Sequence, residues 1–320
     1  MNAAFLVIDK PVGITSHDVV AAVRAVLGVE KVGHTGTLDP FATGVLPLAL
    51  GGATRLIQFL DESLKVYDAT IALGSCTDTG DPTGKTTREA PLPTASREEV
   101  EVVLQSFLGP RMQKPPAYSA VKKAGKPLYE YARKGEIVEV DARPITIHDL
   151  QLIEYDGKSL RVRLSCTRGT YARVLADEIA TALGSAGHLS ALQRPRSGPF
   201  MLEDSLSLDQ LSKFAAPDSG KGFHEVLIAR NRGPERISWH PREEVRDLVK
   251  TWLKRPLDVL SHLPLRDVTR GQADVLKRGG PIPPPPAGVP FGGKYAIVFG
   301  DELLAVAEST PKGPKTVRLG

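Results

Sequence analysis

Cysteine is nearly absent from this chain of 320 residues: there are two, Cys76 and Cys166. They form no metal-type spacing and no disulfide framework, and they suit a reducing compartment. The seven histidines are scattered, with no H-x-x-x-H pair among them, which excludes the commonest metal-hydrolase pattern. Long apolar runs are missing too. No stretch approaches the ~20 apolar residues of a membrane span. The opening run, Ala3 to Ile8, is too short for a secretory signal and has no basic residue before it. A cytoplasmic protein is therefore expected. The stretch Gly80-Asp81-Pro82-Thr83-Gly84-Lys85-Thr86 falls short of a phosphate-binding loop. Three residues separate its glycines where four are needed, and Pro82 disturbs the cradle, so a nucleotidase is excluded.

What is present is ordinary in amount and informative in placement. Hydrophobic residues make up 41% and charged ones 24%, as in a globular protein large enough for a substantial core. The net charge is +4. Residues 111–143 alone carry eight Lys and Arg against four Asp and Glu, an excess equal to that of the whole chain. Tyr118, Tyr129 and Tyr131 are interleaved with those cations. Charge with aromatics suits contact with phosphates and stacking on bases.

Periodicity supplies the elements. Phe5–Ile8 reads as a short buried strand, and a helix capped by Thr15 or Ser16 carries Val19, Val20, Val23, Val26 and Leu27 inward before Gly28 stops it. Residues 45–50 read as a buried element. Over 65–73, Tyr67, Ala69, Ile71 and Leu73 share one strand face, with Asp68 and Thr70 on the other. Residues 74–94 read as a loop. Ser96-Arg97-Glu98-Glu99 is a capping box for a helix that turns Val100, Val103, Leu104, Phe107 and Leu108 inward. The basic segment resists assignment, apart from a short helix near 128–134. Strands follow at 145–153 and 160–166, then a helix from about Tyr171 to Leu183 ended by Gly184. Interleaving without a regular βαβ repeat predicts an α+β fold with a mixed sheet. A polar insertion occupies about 201–255, with a loop at Ser219-Gly220-Lys221-Gly222. Beyond a boundary near 255, strands at 295–299, 303–307 and 316–319 and the tract Pro283–Pro286 form a small β-rich unit.

The organising stretch is Gly33-His34-Thr35-Gly36-Thr37-Leu38-Asp39-Pro40-Phe41-Ala42-Thr43-Gly44-Val45-Leu46-Pro47. It has neither helical nor strand period. Glycines free the backbone to turn or approach closely, and Pro40 pushes Asp39 into extended space. The result is a shaped loop holding out one acid. An isolated Asp-Pro would read as an ordinary turn. The whole run, however, resembles the catalytic motif of the TruB family of tRNA pseudouridine synthases. Asp9-Lys10-Pro11-Val12-Gly13, Lys65-Val66-Tyr67, Pro116 through Lys122, Gly125 through Arg133, Gly169-Thr170-Tyr171-Ala172-Arg173 and Leu192 through Phe200 resemble further family motifs, in order over residues 5–200. One departure is visible: Pro195 follows Arg194, where the family motif carries threonine.

The resemblance implies a pseudouridine synthase catalytic domain over 1–255, with 111–143 as an RNA-gripping insertion. It further implies isomerisation of uridine to pseudouridine at position 55 in the T-loop of tRNA, with the target base flipped out of its stack. Asp39 would be the nucleophile, on ribose or on the uracil ring, kept ionised by a cation in the role that Arg173 matches. Tyr67 would stack on the base and take the proton from its carbon five. Tyr171 and Leu192 would line the pocket, His34 would occupy the space near the flipped base, and Lys10 would support the loop. Residues 256–320 resemble a PUA-type RNA-binding domain. The reaction is redox-neutral, so no cofactor and no metal are expected, and the protein is expected to act on tRNA as a monomer away from membranes. The rival reading is a noncatalytic RNA-binding or tRNA-folding protein on the same fold, for which Asp39, Tyr67 and Arg173 would have no use.

Overall fold

In the computed structural model the apolar opening run becomes strand β1, Ala3–Lys10, with Phe5 to Ile8 fully buried. Helix α1, Ser16–Leu27, follows. The Thr15 side chain accepts from the Asp18 N–H while Asp18 bonds back to the Thr15 N–H, which satisfies two of the donors every helix start leaves open. Gly28, in the left-handed region at φ 59°, ends it. Strands β2, Val32–His34, and β3, Thr43–Gly51, flank the organising loop. Described are residues 3–61, 63–136, 138–214, 245, 247 and 249–318. The Ser219–Gly222 loop and most of the polar insertion lie outside them.

The next elements are β4, Lys65–Leu73; the hairpin β5, Ser75–Thr77, and β6, Thr86–Glu89; α2, Arg97–Gln105; and β7, Gly109–Gln113. Then come the two-residue strands β8, Lys122–Lys123, and β9, Lys126–Pro127, the short helix α3, Leu128–Ala132, and β10, Arg143–Tyr155. Strand β11, Ser159–Cys166, helix α4, Ala172–Ala182, and strand β12, Gly187–Ser197, follow. Most expectations hold. Two differ. Residues 74–94 contain the β5–β6 hairpin, whose second strand is exposed throughout and so lacks the alternation that would mark it. Leu108 is 38% exposed rather than inward, because α2 stops at Gln105 and the helical period stops with it.

The chain divides into two units: 1–39, 45–61 and 199–320 form one, and 40–44 with 62–198 the other. In the first, β1 neighbours β3, pairs in parallel with Leu206–Ser207 and antiparallel with Leu253–Lys254, while β2 pairs with β3. A second sheet follows the order Leu265–Asp267, Lys294–Phe299, Glu302–Glu308, Lys315–Arg318. Its two central strands are apolar on both faces for a reason. Ala296 and Val298 pack in a core with Phe5, Val7, Val45, Phe200 and Leu260, whereas Tyr295 and Ile297 point the other way, onto Ala273 and Leu276 of the helix Arg270–Lys277. The Tyr295 hydroxyl donates to the Pro283 carbonyl at 2.7 Å, which pins the proline tract.

In the second unit the ladder β12–β4–β11–β10–β7 is antiparallel throughout. Strand β4 alternates as its sequence predicts, with Tyr67, Ala69, Ile71 and Leu73 buried. Pro195 sits where the β12–β4 register shifts between Gln193 and Arg196. A proline has no N–H for the ladder, and the irregularity absorbs it without ending the strand. The first residues of β3 pair in parallel with β12, Thr43 with Gln193 and Gly44 with Arg194.

Gly44 is at φ 102°, and a Cβ there would lie 2.5 Å from the Arg194 carbonyl oxygen and 2.8 Å from its nitrogen. Both the conformation and the contact demand glycine. Gly44→Ala is expected to lower unfolding stability by about 2–4 kcal/mol, measured by denaturant unfolding.

Candidate active site

Lys10, His34 and Asp39 belong to the first unit; Tyr67, Tyr171, Arg173 and Leu192 belong to the second. Lys10 ends β1 and is fully buried, its Nζ donating to the Pro11 carbonyl at 2.8 Å, so it is not a surface lysine. His34 ends β2, and its ring meets that of His17 of α1 edge-on at 5.6 Å. The loop that follows is closed at its base, where the Thr35 N–H donates to the Pro47 carbonyl at 3.1 Å. At its tip Ser16, the first residue of α1, accepts from the Leu38 N–H at 2.9 Å and donates to the Leu38 carbonyl at 3.1 Å. One hydroxyl thus holds both backbone polar groups of Leu38, the residue that precedes Asp39. Asp39 itself is half-buried.

In the second unit Tyr67 lies on β4, paired with Leu164 of β11 and 8% exposed. Leu192, also buried, stands on the adjacent strand opposite Ala69, so these two residues are brought onto neighbouring positions of the same ladder. Lys65, two residues before Tyr67 and buried on the same face, pairs with Cys166. Burial pushes the Cys166 thiol up to about 11, against the lowering effects of the Thr170 hydroxyl and of Lys65. At neutral pH that thiol is protonated, which removes it as a nucleophile.

Tyr171 and Arg173 open α4 together. Arg173 is buried. Its Nη1 donates to the Thr79 carbonyl at 2.7 Å and its Nη2 to the Tyr118 carbonyl at 2.8 Å. These two carbonyls orient the guanidinium. Thr79 is fixed in turn by Asp81. One oxygen of that carboxylate accepts from the Thr79 hydroxyl at 2.8 Å, the Thr83 N–H at 2.9 Å and the Thr83 hydroxyl at 2.5 Å. The stretch that fails as a phosphate loop is the support of this arginine.

Sequence reasoning missed Ser16 in this role, together with Asp81, Gln113 and the carbonyls of Thr79 and Tyr118. A backbone carbonyl carries no sequence signal, and Ser16 reads as one more residue of a helix start. Among the described residues no three His, Cys, Asp or Glu gather where a metal ion could be held. Ser16→Ala leaves the buried Leu38 N–H without its acceptor and is expected to cost about 1–3 kcal/mol. Denaturant unfolding measures the loss, and faster hydrogen exchange at the Leu38 amide locates it.

This geometry has relatives. The N-terminal domain model of the TruB family pseudouridylate synthases matches residues 24–172. The chain is 40% identical over 313 residues to a tRNA pseudouridine synthase B of Geobacter sulfurreducens, covering 95% of this chain and 93% of that one. It is 48% identical over 207 residues to the protein of the same name in Francisella philomiragia, covering 64% of this chain and 68% of the other. Among solved structures, a chain in the crystal structure of a Cbf5-Nop10-Gar1 complex is similar with a TM-score of 0.67 at 27% identity, over 99% of this chain and 82% of that one. Among the described residues no helix is long and apolar enough to cross a membrane. With identity sustained over nearly the full length of both proteins, the chain belongs to the TruB family of pseudouridylate synthases.

Proposed function

We propose that this chain isomerises uridine to pseudouridine at position 55, in the T-loop of tRNA, as a cytoplasmic monomer. The observation that carries the reading is the loop around Asp39, whose backbone is gripped from α1 at Leu38 so that one half-buried carboxylate is held out. Relatives named tRNA pseudouridine synthase B support tRNA as the substrate. The two free cysteines suit a reducing compartment.

The chemistry asks for three things. The bond between ribose and the uracil ring nitrogen must break, the detached base must be held while it turns, and carbon five must lose a proton after it bonds to the ribose. Asp39 is the nucleophile that makes the covalent intermediate, through ribose or through the ring. Arg173, oriented by neutral acceptors, supplies the positive charge that keeps a carboxylate ionised. Tyr67 stacks on the base and takes the carbon-five proton. Tyr171 and Leu192 line the pocket, His34 occupies the space around the flipped base, and Lys10 supports the strand end that leads to the site. No electron is transferred, so no redox cofactor is required.

The basic segment grips the RNA. Arg133 lies over the Tyr129 ring at 5.3 Å, a cation-π pair that suits base stacking, and Lys122, Lys123 and Lys126 are exposed. Residues 256–320 form a PUA-like unit that adds to tRNA binding.

An assay of pseudouridine formation on unmodified tRNA transcript tests the reading. Wild type is expected to isomerise one uridine per tRNA. Asp39→Asn is expected to lose at least about a thousand-fold in rate while binding tRNA within about threefold of wild type. A wild type that binds tRNA without isomerising it returns the chain to a noncatalytic RNA-folding role. Lys126→Ala is expected to weaken tRNA binding regardless of tRNA sequence and to flatten the log affinity against log salt slope by roughly one unit.

A further inference from the structure

Gln113 ends β7, where the sheet gives way to the basic segment, and it is only 2% exposed. A buried carboxamide must find partners at both ends or forfeit its hydration. Both ends find the same residue. Its Oε1 accepts from the Tyr171 N–H at 2.7 Å, and its Nε2 donates to the Tyr171 carbonyl at 3.2 Å. Tyr171 is the residue from which α4 springs, and it has no side-chain cap of its own. Helices more often begin on Ser, Thr, Asp or Asn, whose short side chains fix the entering backbone. Here the fixing comes from another strand. The Tyr171 carbonyl also accepts from the Val174 and Leu175 N–H groups at 3.1 Å, so Gln113 holds the peptide on which the first turn is built. The ion pair between Arg111 and Glu178, at 3.2 Å, ties the same strand to the same helix.

We propose that Gln113 is a positioning residue for uridine isomerisation: its carboxamide fixes the Tyr171 backbone on both sides and thereby the aim of the Tyr171 ring. The proposal rests on the reading of Tyr171 as a pocket residue. A hydrophobic side chain of the same length would fill the space and would remove both the acceptor of the Tyr171 N–H and one of the donors to its carbonyl. The two bonds, one to the N–H and one to the C=O of a single residue, hold the peptides on both sides of its Cα in a way that packing does not.

Gln113→Glu keeps the acceptor for the Tyr171 N–H and sets a carboxylate against the Tyr171 carbonyl; Gln113→Met keeps the volume and removes both bonds. Both are compared with wild type by single-turnover isomerisation of tRNA transcript, by tRNA affinity and by thermal unfolding. Single-turnover rates are expected to fall on the order of ten- to a hundred-fold, with tRNA affinity within about twofold of wild type. In a Tyr171→Ala background the Gln113→Glu change is expected to cost little further rate, because Gln113 acts through Tyr171. Folded variants that isomerise at the wild-type rate overturn the proposal. So does a loss of rate that is the same with and without Tyr171, or one that only follows lost thermal stability. A wild type that does not isomerise uridine overturns the functional reading and this role together, a result distinct from an active wild type indifferent to Gln113.

Discussion

Irregular backbone is the constraint on which this structure turns. Segments that lie outside helices and ladders still carry an N–H and a C=O at every residue, and those groups need partners when water is excluded. In this chain the partners are polar side chains, two of them reaching across long sequence distances. Ser16 closes the peptide of Leu38, Gln113 the peptide of Tyr171, and Asp81 the turn from Thr79 to Thr83. Each of these stands beside one candidate residue: Asp39 in chain order after Leu38, Tyr171 itself, and Arg173 through the Thr79 carbonyl. The regular sheets supply the platform, and three side chains decide what the loops hold out.

That division explains what the sequence discloses. Elements whose causes are local are legible. The Thr15 and Ser96 capping boxes, Gly28, and the alternation of β4 all follow from residues within a few positions of one another. The loop around Asp39 is legible as a whole string resembling a family, not from its physics. The Ser16 and Gln113 clamps are illegible because each joins residues that only the fold brings together, and one partner is backbone, which every residue has. Leu108 fails for a related reason: its inward turn assumes the helix continues, and α2 ends at Gln105. Pro195 departs from the family motif, and the bulge that accommodates it depends on what β4 does opposite.

Chemistry narrows along the same lines. Of the nucleophilic side chains in the second unit, Cys166 is buried and held protonated, since burial outweighs the help of Lys65 and the Thr170 hydroxyl. Arg173 presents the opposite case. Its guanidinium is buried against the Thr79 and Tyr118 carbonyls, which direct it.

The basic segment and the start of α4 are mechanically one object. The segment leaves the sheet at Gln113, which grips Tyr171, and within it the Tyr118 carbonyl grips Arg173. The segment is tied to itself as well: the Tyr129 N–H donates to the Ser119 carbonyl, the Leu128 N–H to Val121, and the Tyr131 hydroxyl to Lys123. Any rearrangement that carries Tyr118 away from its present path must either break its bond to Arg173 or move the guanidinium with it. A surface rich in lysine and tyrosine and a buried arginine are thus coupled by a single carbonyl one residue before Ser119, with no intervening flexible linker. A displacement of the segment at Tyr118 therefore bears directly on the geometry of Arg173.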